Sequence, residues 1–151
     1  MRYRYWDACV FLGWLKAEPD KLAACQAGIR MAERGELTII TSVLSLAEVL
    51  RLKGNDPIPV ADREAVRAFF ENDYISLYEV DRTIAEKAQD VVWNHGVRPK
   101  DAIHVATALS TATTITIEQF DTFDTGLIAL NGQIGAPALT IGLPNLPEAM
   151  F

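Results

Sequence analysis

The chain has 151 residues, half of them apolar, enough for one domain, spanning residues 1–151, with its own core. Its formal net charge of −6 argues against holding nucleic acid on a broad basic surface, and its apolar runs are too short to span a bilayer. Cys9 and Cys25 match no metal-ligand spacing and read as buried apolar fillers, while His95 and His104 are too few for a histidine-rich metal site. The basic, aromatic start from Met1 to Trp6 meets Asp7 without the long apolar region of a signal peptide, so a cytoplasmic protein is expected.

In chain order, Tyr3-Arg4-Tyr5-Trp6 reads as a short first strand that ends at Asp7. Val10 to Lys16 is apolar at helical spacing, and Asp20 to Arg34 reads as a second helix with Gly35 at its carboxyl end. Leu37 to Thr41 is a strand rich in β-branched residues. Ser45 to Lys53 is a helix, stopped by Gly54-Asn55-Asp56-Pro57. A helix over Ala61–Glu71 precedes an alternating strand over Ile75–Val80. Asp81 then caps a helix running from Arg82 to about Asn94. Pro99 opens the helix Lys100–Thr111, Thr113–Ile117 is expected as a strand, and Leu139–Ile141 as a last one. Strands alternating with helices predict an α/β fold of three layers: a central parallel sheet with helices on both faces. Ligands in such sheets bind beyond the carboxyl ends of the strands.

Four acids stand beside apolar elements in four separate places: Asp7, Glu48, Asp101 and Asp124. A carboxylate next to a core is costly unless a cation or donor compensates it, and a folded cluster of several suits Mg²⁺ or Mn²⁺, which prefer oxygen ligands. Metal-assisted phosphodiester cleavage is a main use of such sites. Each acid also has a structural reading. Asp7 can cap the helix after it, Ser45-x-x-Glu48 matches a capping box, Asp101 suits the first turn of its helix, and Asp121 and Asp124 fall in a polar loop. His104, one turn after Asp101, reads as a satisfied core or interface histidine, off the metal. Arg2, Arg4, Arg51, Lys53, Arg98 and Lys100 flank these acids in sequence and are candidate phosphate contacts.

Four segments together resemble the motifs of PIN-domain ribonucleases, and among them the VapC-type toxins of prokaryotic toxin–antitoxin pairs. They are Tyr5–Val10, Thr41–Val49, Arg98–Ala108 with its Asp-Ala-Ile-His-Val-Ala-Thr-Ala run, and Thr122–Leu127. The likeness extends from Tyr3 to Pro144. It implies a PIN-like fold with an acidic cluster at the strand ends, holding Mg²⁺ or Mn²⁺ and cutting RNA. It carries the catalytic and metal-binding roles onto Asp7, Glu48 and Asp101, and onto Asp124 through the Thr-Phe-Asp-x-x-Leu pattern. It also suggests Thr41 or Ser42 near the site, a cognate antitoxin as protein partner, and a homodimer. In the family, the strand before the fourth acid runs straight into Thr-x-Asp. Here the expected strand Thr113–Ile117 leaves Glu118 to Asp121 as an extra turn, which makes Asp121 the competitor and places it in solvent.

The expected activity is therefore a metal-dependent endoribonuclease, the toxin of a type II toxin–antitoxin system. A catalytically degenerate PIN-like module that acts by binding a protein partner is the alternative. A phosphatase using Asp7 as nucleophile would call for further Asp and Lys elements at matched strand ends, which are not found.

Overall fold

The computed structural model describes residues 1–50 and 57–145. It forms one five-stranded sheet in the order β3-β2-β1-β4-β5, with every neighbouring pair parallel. The strands are β1 (Arg2–Trp6), β2 (Leu37–Ser42), β3 (Ile75–Tyr78), β4 (Phe120–Asp121) and β5 (Ile141–Gly142). Among the described residues the α-helices are α1 (Ala8–Leu15), α2 (Leu22–Glu33), α3 (Ser45–Glu48), α4 (Arg63–Phe70), α5 (Arg82–His95), α6 (Pro99–Thr111) and α7 (Thr125–Ile128). None of the helices there is long and apolar enough to cross a membrane.

The pleat sends alternate side chains to opposite faces, and this divides the core in two. Trp6, Leu37, Ile39 and Ile75 pack with Val10 and Phe11 of α1, Ile29 of α2 and Phe70 of α4. Tyr5, Ile40, Phe120 and Ile141 pack with Ala88 and Val91 of α5, Val105 and Ala106 of α6, and Leu127 of α7. Helices thus cover both faces, as the alternation of strands and helices predicts. Local signals also hold. Asp81 accepts from the Ile84 N–H at 2.9 Å to cap α5, Gly35 takes φ +77° just beyond α2, and Pro99 begins α6.

Several readings of the sequence fail. Thr113–Ile117 is not a strand. Here the threonine hydroxyls serve the end of α6 instead: Thr113 donates to the Ser110 carbonyl at 2.7 Å and Thr114 to that of Thr111 at 3.2 Å. Such local bonds compete with a ladder despite β-branched composition. The strand is β4, two residues long, and it runs straight into Thr122, so there is no inserted turn. The capping box fails too: α3 has no side-chain cap, and the Ser45 hydroxyl lies 2.7 Å from that of Thr41. The expected helix over Ser45–Lys53 is observed over Ser45–Glu48, and its part from Arg51 onward lies outside the described residues.

Asp121 is consequently not solvated but 1 % exposed, at the centre of a buried ion pair. Arg4 donates through Nε to Oδ2 at 2.8 Å and through its second nitrogen to Oδ1 at 2.6 Å. Trp6 Nε1 and Gln119 Nε2 add bonds of 2.9 and 2.8 Å. Burial still pushes the Asp121 carboxyl up to about 6 against these donors. Arg4 is committed here, and Arg2 bonds Glu118 through two nitrogens, so neither serves as the phosphate contact expected of it.

Removing one member of a buried pair strands the other, at a cost of about 3–5 kcal/mol. Arg4→Met and Asp121→Leu should each lose about that much stability in urea unfolding. The double variant should lose less than their sum by at least about 2 kcal/mol. Additive losses would show that the pair is not coupled.

Candidate active site

In an open parallel sheet, ligands bind where the strand order reverses. Here β2 and β3 lie to one side of β1, and β4 and β5 to the other, so the reversal falls between the carboxyl ends of β1 and β4. Asp7 follows β1 directly, and Thr122 to Asp124 follow β4.

Asp7 stands at the N-cap of α1, yet its side chain makes no capping bond. Its Oδ2 instead accepts from the Thr122 hydroxyl at 2.6 Å, and its Oδ1 from the Cys9 thiol at 2.9 Å. Burial raises the Asp7 carboxyl above the usual range. Burial first, then the nearby Asp7 charge, raises the Cys9 thiol well above its own, so Cys9 acts as a donor rather than a reactive thiolate. Thr122 and Cys9 also tie down the turn after β4, accepting from the Asp124 N–H at 3.0 Å and the Phe123 N–H at 3.3 Å. Cys9 is thus more than the apolar filler expected of it, whereas Cys25 is buried in the core.

Asp124 caps α7, its Oδ1 accepting from the N–H groups of Gly126 at 2.8 Å and Leu127 at 3.3 Å. Its Oδ2 faces the Arg98 guanidinium at 3.7 Å, and Arg98 Nε lies 3.7 Å from Asp101 Oδ2 in the first turn of α6. Asp101 is raised by burial, then by the charges of Asp124 and Asp7. Three of the four expected acids therefore share one electrostatic neighbourhood. Asp101 and Asp124, with Arg98, line an open cleft of about 220 Å³.

Glu48 enters from the opposite side of β1, on α3. The segment carrying it is held by Thr41, whose hydroxyl donates to the Trp6 carbonyl at 2.7 Å, and by Ser42, whose Oγ accepts from the Leu44 N–H at 3.1 Å. Glu48 Oε1 is 2.6 Å from Nε2 of His104, and His104 Nδ1 is 2.6 Å from the Tyr5 hydroxyl. The sequence reading missed Tyr5, Cys9 and Thr122 as parts of this network. Their one sequence signal is position, within two residues of Asp7 or Asp124. Of the remaining phosphate candidates, Lys100 is exposed beside Asp101, while Arg51 and Lys53 lie outside the described residues.

Among the described residues, no three His, Cys, Asp or Glu side chains close into a metal cage. Mg²⁺ does not require one, since it commonly keeps several waters and takes one or two carboxylates plus substrate phosphate. The donor set fits such an ion in chemistry: oxygen only, anionic, and with Asp101 repelled by two neighbouring carboxylates that a cation would relieve.

The chain belongs to the PIN domain family, whose model matches residues 4–132. Among solved structures, it is similar to one described as a toxin-antitoxin complex from Klebsiella pneumoniae. That likeness has a TM-score of 0.57 at 15% identity and covers 95% of this chain and 99% of that one. At this identity the likeness shows the shared fold. No curated protein matches the chain.

Asp7, Asp101 and Asp121 are all raised, so the folded chain holds their protons more tightly than the unfolded chain does. Their contribution to stability is fully present below the ordinary value of about 3.9 and is lost as pH rises through the raised folded values. In EDTA, lowering the pH from about 7.5 to about 5.5 should therefore raise the urea midpoint. Asp121→Asn, which removes the carboxyl raised to about 6, should reduce that gain. A midpoint that falls over this window would contradict the assigned direction.

Proposed function

We propose that this PIN domain is a divalent-metal-dependent endoribonuclease, the toxin of a type II toxin–antitoxin pair acting in the cytoplasm. The observation that carries the proposal is the gathering of Asp7, Asp101 and Asp124 at the sheet's switch point, with Asp101 raised by the other two.

In this reading Asp7, Asp101 and Asp124 hold Mg²⁺ or Mn²⁺, directly or through water. The bound ion supplies charge stabilisation at the scissile phosphate and a water of lowered pKa. Thr122 and Cys9 fix the direction of the Asp7 carboxylate by bonding one oxygen each. Asp124 is held rigidly by the α7 amides through Oδ1, which leaves Oδ2 toward the cleft. Glu48 serves as ligand or as acceptor of the water's proton. Arg98 and Lys100, on the rim, contact phosphate. Asp121 drops out as fourth acid, because its oxygens are engaged by Arg4, Trp6 and Gln119.

The antitoxin partner belongs to the same proposal. Arg98 lying across Asp101 and Asp124 supports a cleft that accepts a guanidinium, and an antitoxin Arg or Lys would compete there with metal and RNA. The solved neighbour described as a toxin-antitoxin complex supports the same idea. A homodimer is also part of the reading. Trp93, 72 % exposed beside an apolar groove formed with Val92, Pro99 and Ile103, supports it.

The test is RNA cleavage by purified protein. Cleavage should require Mg²⁺ or Mn²⁺, stop with EDTA, and fall to background in Asp7→Asn and Asp124→Asn with folding retained. Saturating Mn²⁺ should raise the melting temperature by about 5–10 °C, as expected for a site filled at roughly 100 times its Kd. Metal-independent cleavage, or full activity in Asp7→Asn, would reject this assignment. EDTA-insensitive partner binding without any cleavage would favour the non-catalytic module. Expressed alone, the chain should arrest growth, and Asp7→Asn should relieve the arrest at equal soluble expression.

A further inference from the structure

His104 is 1 % exposed, and both its ring nitrogens are bonded to side chains. A histidine kept for packing needs only one acceptor and one donor, and a backbone carbonyl and a backbone N–H would serve. Here one partner is Glu48, a candidate site acid, and the other is Tyr5, two residues before Asp7 on β1. The direction of the chain follows from the chemistry of the groups. A carboxylate only accepts, so Nε2 carries the hydrogen in the bond to Glu48, and with the ring neutral Nδ1 accepts from the Tyr5 O–H.

Ser45 and Val49 are buried and fix the backbone of this segment, but the Glu48 side chain sits on a helix of four residues without a side-chain cap. Its side-chain hydrogen bond among the described residues is the one to His104, so that bond sets where the carboxylate points. His104 lies one turn after Asp101 on α6, and the Tyr5 ring is stacked on Phe120 at 4.9 Å between centroids. The imidazole thus ties Glu48 to the helix that carries Asp101 and to the strand that delivers Asp7.

We propose that His104, oriented by the Tyr5 hydroxyl, is a positioning residue that sets the Glu48 carboxylate relative to Asp7 and Asp101; this rests on the nuclease reading above. His104 itself touches neither substrate nor metal. Removing the outer partner of a metal-site group typically costs 10–100-fold in affinity or activity.

The experiment compares wild type, His104→Leu, His104→Gln, Tyr5→Phe, Glu48→Gln and the His104→Leu/Glu48→Gln double variant, with folding checked by urea unfolding. A ¹⁵N–¹H spectrum of the wild-type imidazole should show the Nε2–H tautomer alone, and Glu48→Gln, whose amide can donate as well as accept, should lose that single form. For RNA cleavage, His104→Leu should lower kcat about 10–100-fold with KM within about twofold. His104→Gln, whose amide can still donate to Glu48, should recover much of this. The double variant should be no worse than Glu48→Gln alone. The temperature upshift with Mn²⁺ should follow the same ranking.

Equal loss in His104→Leu and His104→Gln, or additive losses in the double variant, would overturn the proposal and leave a packing role. An Nδ1–H tautomer in wild type would overturn it as well. Should His104→Leu not fold, Tyr5→Phe decides, since it removes one oxygen and keeps the stacked ring: unchanged kcat overturns the relay. A wild type that cleaves no RNA under any metal rejects the nuclease reading itself, and the proposal with it. An active wild type with indifferent His104 variants rejects only the relay.

Discussion

The structure turns on a pairing of two residues. Where β1 meets β4, only Tyr5 with Phe120 and Trp6 with Asp121 are in register. So short a ladder is weak by itself, and each face of the sheet reinforces it. On one face the Arg4 guanidinium grips Asp121 with two bonds, and the Trp6 indole adds a third. On the other, the rings of Tyr5 and Phe120 stack. A slip of β4 by one residue would turn Asp121 away from Arg4 toward α5 and α6, and Phe120 away from Tyr5 toward α1 and α2, breaking both contacts. The register is thus strongly specified. It delivers Thr122 to Asp7 at 2.6 Å and brings Asp124 toward Asp101.

This arrangement sets the core and the cleft at odds. Crowded carboxylates at the carboxyl ends of the central strands cost stability, since burial raises Asp7, Asp101 and Asp121 alike. Only Asp121 has a fixed cation against both its oxygens. Asp7 has neutral donors, a hydroxyl and a thiol, and Asp101 has the exposed Arg98 at 3.7 Å. The distribution of partners separates the roles: Asp121, with a full complement of donors, supports the fold, while Asp101, with only the exposed Arg98 near it, lines the cleft. Buried carboxylates with raised pKa values of this kind cluster at functional sites.

How legible each part was in the sequence depended on the range of the interaction behind it. The Asp81 cap, Gly35 at positive φ and Pro99 at the start of α6 act within one turn, and all appear where the residue types placed them. The alternation of strands and helices sufficed for a parallel sheet, because a parallel pair needs a crossover. Thr113–Ile117 misled because β-branched composition describes a surface that packs well, not one that finds a partner. Those threonines bond the helix they leave. The misplaced strand also misplaced Asp121, whose partners Arg4 and Trp6 lie more than 100 residues earlier in the chain.

The sequence by itself determined the residue types that can do hard-metal chemistry, their order, and the period that places Asp7, Asp101 and Asp124 at element ends. Those are local properties, carried by spacing and side-chain chemistry. Tertiary structure alone decided which carboxylate is neutralised and which is left open. Burial, and the approach of Arg4 to Asp121 or of His104 to Glu48, exist only once distant segments pack. A carboxylate's free energy depends on what surrounds it in space, and for Asp121 and Glu48 that surrounding comes from other strands and helices.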